Sequence, residues 1–313
     1  METRKLGTST LEVSVIGLGC NNFGGRIDPA GSRRVIDAAI DKGINFFDTA
    51  DIYADTESET VIGDVLGARR DKIVLATKFG KPIQGSPETK RGSRSYIVRA
   101  VDASLQRLKT GHIDLYQMHE PDAETPIEET LGALEELVQA GKIRYYGASN
   151  FSPEGLAAAQ AAARKAGQTG FVTSQDEYSL VVRDIEAGLL PVIEREKLAL
   201  IPFFPLASGL LTGKYRGGAK PEDSRFGAWT GLGDRYLTAR NIALVEAFDA
   251  FARERGHTLL ELAFGWLLSH PVVPSVIAGA TKPEQIEANV AAAGWRLGAA
   301  DLAAFDAIGK AIA

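Results

Sequence analysis

Ile44-Asn45-Phe46-Phe47-Asp48-Thr49-Ala50-Asp51-Ile52-Tyr53 begins as an apolar run, ends that run in an acid, and reaches a phenol five residues later. The apolar run suits a buried strand, and Asp48 stands where such a strand would leave the core. On local grounds alone an aspartate here suits a turn and a tyrosine suits packing. A carboxylate and a phenol at one strand edge could also move a proton. The units on either side decide between these readings.

On the N-terminal side, residues 15–18 read as a strand and 32–42 as a helix closed by Gly43. Before them, Arg4-Lys5-Leu6 and Leu11-Glu12-Val13 flank Gly7-Thr8-Ser9-Thr10, the pattern of a small hairpin. On the C-terminal side the strand–helix scheme repeats. Strands are expected at 73–76, 113–118, 143–148, 171–174 and 199–203, each preceded by an amphipathic helix. Ser93 is placed to cap one helix, and Thr125, Pro126 and Glu128 to form a capping box with proline at the first position of the next. Residues 186–197 read as one further helix. The rhythm breaks over 215–236, which is rich in Gly, Asp and Arg and carries Trp229; a loop this long suits a lid or binding loop. Helical patterning returns at 239–255 and 259–268, a strand at 272–277, and helices at 283–291 and 301–312.

Eight strand–helix units in one chain predict a (β/α)8 TIM barrel spanning 1–313 as a single domain, with the hairpin in front, a long loop after the seventh strand and a terminal helix. A doubly wound sheet would carry a Gly-rich phosphate turn. Gly17-Leu18-Gly19-Cys20-Asn21-Asn22 holds Asn22 where the third glycine belongs, and Gly209-Leu210-Leu211-Thr212-Gly213-Lys214-Tyr215 is one spacer short of a P-loop.

Of 313 residues, 45% are hydrophobic and 24% charged, an ordinary globular composition. The net charge of −5 speaks against a general nucleic-acid binder. Cys20 is the sole cysteine, so no intrachain disulfide forms. The first eleven residues are polar, without a signal peptide's apolar core, and no run approaches a spanning helix. The expectation is a cytoplasmic protein that meets neither membrane nor nucleic acid.

In such a barrel, chemistry belongs where strands end at the C-terminal rim. The first notable polar residues after successive apolar runs are Asp48, Lys78, His119, Ser149-Asn150 and Gln175. They recur about one strand–helix unit apart and so converge on one rim. Each has an ordinary alternative: a rim ion pair for Lys78, a satisfied polar residue for His119. With one cysteine and no paired-histidine spacing, no zinc site is expected. A glycosidase pair from Asp48 and Glu120 would leave Lys78 and His119 without a role.

Asp48, Tyr53, Lys78 and His119, with Asn45-Phe46-Phe47-Asp48-Thr49-Ala50, Thr77-Lys78, Met118-His119 before Pro121-Asp122, and Gly141-Lys142-Ile143-Arg144-Tyr145-Tyr146-Gly147-Ala148-Ser149-Asn150, resemble the aldo-keto reductase superfamily over nearly the whole chain. The branch most alike is the bacterial one related to potassium-channel β subunits and to general-stress and sugar-metabolism reductases.

The resemblance implies a catalytic tetrad of Asp48, Tyr53, Lys78 and His119, and NAD(P)(H) bound extended across the barrel mouth, with NADP(H) favoured by Lys282. It implies that Ser149, Asn150 and Gln175 hold the carboxamide and that Phe203 stacks on the nicotinamide. Pro205, Leu206, Ser208, Gly209, Leu211 and Lys214 would wrap the pyrophosphate. Gly279, Thr281, Lys282, Gln285 and Asn289 would hold the adenosine end, beside a helix N-terminus suited to phosphate. Three residues depart from the pattern: Phe204 for serine, Gln285 for arginine and Ala288 for an acid. Asn22, Phe23, Glu120 and Trp229 are expected to line the substrate pocket. The implied reaction passes hydride between nicotinamide and a small carbonyl or alcohol, with Tyr53 as acid/base. Lys78 would lower the phenol's pKa from its free value near ~10, and Asp48 would orient Lys78. The alternatives are a cofactor-binding regulatory module of the channel β-subunit kind and a sugar or alcohol dehydrogenase working in the oxidative direction.

Overall fold

A computed structural model of the chain describes residues 1–215 and 230–312. Thr3–Lys5 (β1) and Glu12–Ser14 (β2) pair antiparallel, Thr3 opposite Ser14. Eight parallel strands follow: Ile16–Gly19 (β3), Phe46–Asp48 (β4), Val74–Phe79 (β5), Ile113–Met118 (β6), Ile143–Ser149 (β7), Thr173–Glu177 (β8), Ala199–Phe203 (β9) and Val276–Gly279 (β10). Their order is β10-β3-β4-β5-β6-β7-β8-β9. The gap between β9 and β10 is bridged where the Leu200 N–H donates to the Val272 carbonyl at 2.7 Å. The result is a nearly closed (β/α)8 barrel, as expected.

The helices wrap it in chain order: Pro29–Asp41 (α1), Glu57–Leu66 (α2), Arg94–Leu108 (α3), Ile127–Gln139 (α4), Pro153–Ala166 (α5), Leu189–Arg195 (α6), Thr230–Tyr236 (α7), Ala239–Glu254 (α8), Leu259–Leu268 (α9), Pro283–Ala292 (α10) and Ala299–Ile312 (α11). Their starts follow short side-chain chemistry. Ser93 Oγ accepts from the Tyr96 N–H to open α3, and Ser152 Oγ accepts from Gly155 at 3.0 Å to open α5. Gly167, at φ +67°, ends α5 in the left-handed region that a side chain would disfavour.

Several elements differ from expectation. Thr230–Tyr236 (α7) is helical inside the stretch expected as a loop over 215–236. The helix after β6 starts at Ile127, not at Pro126, because the Thr125 hydroxyl donates to Asp122 Oδ2 (2.7 Å) instead of capping the helix; the capping box does not form. The single helix expected over 186–197 is split at Gly188 into a 3-10 turn, Asp184–Ala187, and α6. The last strand begins at Val276 rather than Val272, since Pro274 has no N–H to give a ladder.

Side chains divide the core into two zones. Outward-facing apolar residues such as Leu75, Tyr116 and Leu200 pack against the helices through Val61, Ile97, Leu131 and Leu262. Inside the barrel, Phe46, Ala76, Leu115, Val172, Ile201 and Ile277 form a smaller cluster with Leu6, Leu11 and Val13. The β1–β2 hairpin therefore plugs one end of the barrel with apolar side chains, and the other end is left to polar ones. Gly7 is required for that plug: at φ +58°, a Cβ there would lie 2.3 Å from the Val172 carbonyl oxygen. Gly7→Ala should cost about 3 kcal/mol, from strain and overpacking together. Urea unfolding checks this; an unchanged midpoint would mean the plug is loose.

Candidate active site

The inner face of each strand alternates in steps of two, so the layer above the apolar cluster is fixed by it. Phe46 leads to Asp48, Ala76 to Lys78 and Leu115 to Gln117; Thr173 leads likewise to Gln175 on β8. Register sets Lys78 level with Gln117 and Asp48 one inward step below, level with Ala76.

Lys78 is wholly buried, and its ammonium is fully engaged. Nζ donates to Asp48 Oδ1 at 2.6 Å, to the Thr49 carbonyl at 2.8 Å and to the Tyr53 hydroxyl at 3.4 Å. The other Asp48 oxygen, Oδ2, accepts from Gln175 Nε2 at 2.9 Å and from Gln117 Nε2 at 3.1 Å. Burying this ion pair is tolerated because every lone pair facing inward finds a donor. Burial alone would lower the pKa of Lys78, but Asp48 and Tyr53 outweigh it and hold the pKa above its usual value.

Tyr53 sits on the turn after β4. Its ring meets the His119 ring edge-on, centroids 6.0 Å apart, and Lys78 Nζ lies 5.1 Å from its centroid. Ala54, Asp55 and Thr56 follow at φ 52°, 52° and 75°, three consecutive left-handed residues that are not glycine. Such strain is held only by surrounding contacts. Here the Tyr53 carbonyl accepts from the Ser58 N–H at 3.2 Å, and Ser58 Oγ donates to the Cys20 carbonyl at 2.8 Å. The sequence led us to expect a lowered phenol pKa. Instead, burial pushes the Tyr53 phenol above its ordinary value, and the Lys78 charge opposes that shift without overcoming it.

His119 follows β6, and its backbone N–H donates to the Phe79 carbonyl at 2.8 Å. Nδ1 is buried with no hydrogen-bond partner. Burial, with the charges of Lys78 and Lys81, drives its pKa down to about 2, so the ring is a neutral imidazole at any ordinary pH.

Around the rim, Ser149 Oγ donates to the Gln175 carbonyl (2.8 Å) and accepts from Asn150 Nδ2 (3.0 Å). Asn150 is exposed at φ 60°, with Nδ2 also donating to the His119 carbonyl at 2.9 Å. Phe203 ends β9, half-buried and edge-on to Phe204. The stretch Ala207–Thr212 folds as a 3-10 turn interrupted by left-handed Ser208 and Gly209, with Lys214 exposed just after it. This set of side chains, a buried carboxylate–lysine–phenol chain beside a neutral imidazole, can pass a proton to or from an oxygen held at the mouth.

An aldo/keto reductase family model matches residues 15–310. The chain belongs to the aldo/keto reductase family. This aldo/keto reductase is 38% identical over 301 residues to a probable voltage-gated potassium channel β subunit of Arabidopsis thaliana, covering 93% of this chain and 91% of that one. It is 38% identical over 303 residues to an uncharacterised oxidoreductase of Bacillus subtilis, with 93% and 91% covered. It is 34% identical over 304 residues to the L-glyceraldehyde 3-phosphate reductase of Escherichia coli, with 93% and 87% covered. These relatives support an oxidoreductase role. Among the described residues no helix is long and apolar enough to cross a membrane.

The residues expected to meet substrate fare unevenly in this aldo/keto reductase. Phe23 is 0% exposed and packs in the core, so it offers a substrate no surface. Asn22 is buried, its Nδ2 donating to the Ala280 carbonyl at 3.3 Å, which ties the β3 turn to the end of β10. Glu120 lies 3.6 Å from Arg91. Trp229 lies outside the described residues. At the expected adenosine end, Gln285 Oε1 accepts from the N–H groups of Thr281 (2.7 Å) and Lys282 (3.2 Å), closing the turn into α10. Asn289 is buried, and Lys282 is exposed. Gln117 joins the site unexpectedly, although the two-residue step from Leu115 points to it.

Proposed function

We propose that the protein is an NADP(H)-dependent aldehyde or ketone reductase in which Tyr53 exchanges the proton. The observation that carries this is the unbroken hydrogen-bonded chain Asp48–Lys78–Tyr53 beside the unpartnered, neutral His119. A nicotinamide group suits the neighbouring rim. No described residue donates to Gln175 Oε1, Asn150 is exposed, and Phe203 offers an aromatic face. These would take the carboxamide and the ring, with the 207–212 turn and Lys214 toward the phosphates and Lys282 toward a 2′-phosphate.

When bound, a reduced nicotinamide would supply the hydride for the carbonyl carbon. The chain's own part is the proton and the pose. The neutral His119 ring hydrogen-bonds the carbonyl oxygen and places it against Tyr53. As the carbonyl carbon is reduced, the Tyr53 O–H bond breaks and its proton goes to the substrate oxygen, giving an alcohol. Lys78 stabilises the phenolate left behind, and Asp48 holds Lys78 in place. Reversed, the phenolate takes the alcohol's proton.

The identity to probable channel β subunits favours a second reading, a regulatory module that binds cofactor without turning it over. One assay separates them: loss of NADPH absorbance with a panel of aldehydes and ketones, and its gain from NADP+ with alcohols and sugars. Turnover with any of them supports the enzyme; tight NADPH binding with no turnover supports the module.

A further inference from the structure

Gln117 is wholly buried on β6, and its side chain points into the barrel beside the Asp48 carboxylate. Gln117 and Gln175 donate to the same oxygen, Oδ2, while Lys78 holds Oδ1. The two amides are not equivalent. Gln175 lies on the rim that the proposed cofactor would cover. Gln117 lies one strand from Lys78 in register and away from that rim. Its amide is oriented from behind: Thr173 Oγ1 donates to Gln117 Oε1 at 3.5 Å, so the nitrogen faces Asp48. Space for this arrangement is made at Gly147. A Cβ there would lie 2.0 Å from Thr173 Oγ1 and 3.3 Å from Gln117 Cγ. Three neighbouring strands thus cooperate to present one N–H to one carboxylate oxygen.

We propose that Gln117 is a positioning residue for proton transfer: it locks the Asp48 carboxylate so that Lys78, and through it Tyr53, keeps its geometry and charge balance. This rests on the reading of Tyr53 as the proton donor. Without the Gln117 N–H, Asp48 keeps one amide and the lysine. Its negative charge is then less offset near Tyr53, which disfavours the phenolate. Gln117 would touch neither substrate nor cofactor, so its loss falls on the chemical step and not on binding.

The experiment compares Gln117→Met, which keeps length and loses the donor, with Gln117→Glu, which donates only when protonated. With NADPH and the best carbonyl of the panel, Gln117→Met should lower kcat about 10- to 100-fold, with KM and NADPH affinity within about twofold. Gln117→Glu should recover activity as pH falls and the new carboxyl gains its proton. Unchanged kcat, or KM and affinity moving with it, overturns the proposal. A second measurement needs no turnover: the ultraviolet titration of the Tyr53 phenolate, taken as the difference from Tyr53→Phe. It should move to higher pH in Gln117→Met. If it stays in place, the coupling is absent whether or not the protein reduces carbonyls. If it moves while the whole panel gives no turnover, the coupling stands and the reductase reading falls.

Discussion

Tyr53→Phe lowers carbonyl reduction by about 10²–10⁴-fold in kcat, the range that a positioned acid contributes, while NADPH affinity stays near the wild-type value. The separation follows from the contacts. Phenylalanine keeps the ring that meets His119 edge-on at 6.0 Å and lies 5.1 Å from Lys78 Nζ. Only the hydroxyl, 3.4 Å from Nζ, is lost. Lys78 keeps its bonds to Asp48 and Thr49, so no buried charge is stranded and the fold should hold. NADPH affinity by fluorescence and kcat by absorbance check the two halves; near-normal kcat would remove Tyr53 from the mechanism. A pH dependence accompanies it. Because burial raises the Tyr53 pKa, the phenol is protonated and ready to donate through neutral pH, so reduction in the wild type should be flat there. Oxidation needs the phenolate and should rise with pH in the alkaline range. His119, neutral above about 2, should contribute no limb to either profile.

Much of this site was legible because a barrel strand converts position into direction. Asp48, Lys78, His119 and Gln175 stand at or near strand ends, and any barrel with these strands brings them to one rim. Gln117 stayed hidden because it is inside its strand, where a single polar residue between Tyr116 and Met118 looks like noise until the inner face is known. Phe23 was misplaced for the opposite reason. It follows a strand end, but the turn after β3 folds back, with the Phe23 N–H on the Cys20 carbonyl, and carries its ring into the core. The split at Gly188 and the late start of α4 are choices among competing short-range bonds. Thr125 can serve either a helix or Asp122, and tertiary placement of Asp122 decides it. Asp122 itself is held by the Gly92 N–H at 2.7 Å, a partner thirty residues away that local patterning cannot supply.

The other large effect concerns Asp51, which lies inside the stretch that decided the fold. It is 1% exposed, and neither carboxylate oxygen has a hydrogen-bond partner. Its backbone N–H donates to the Lys78 carbonyl at 3.1 Å, so it is fixed behind Lys78 on the helix side of the barrel. Glu59 and the buried phenol of Tyr116 face it there. Arg107, committed to Glu59 at 2.7 Å, and the more distant Lys78 only partly offset the burial. Burial first, and Glu59 second, push the Asp51 carboxyl up to about 8. Since its pKa is higher folded than unfolded, the folded state holds the extra proton. The stability tied to Asp51 is complete below the unfolded value near ~3.9, falls as pH rises, and is exhausted above about 8. A shift of about four units corresponds to a loss on the order of 5 kcal/mol across that window. Asp51→Asn removes the titration, so urea unfolding at pH 5 and pH 8 should show the variant gaining most of that difference over the wild type at pH 8 and roughly a quarter of it at pH 5. The comparison cancels other groups that titrate in the same range, including Asp176, pushed up to about 6 by its own burial. Equal pH slopes in the two proteins would mean that Asp51 has found partners and stays ionised. The expected slope, in contrast, means that this chain holds a neutral acid two residues from Tyr53 and tolerates the cost to keep the turn in place.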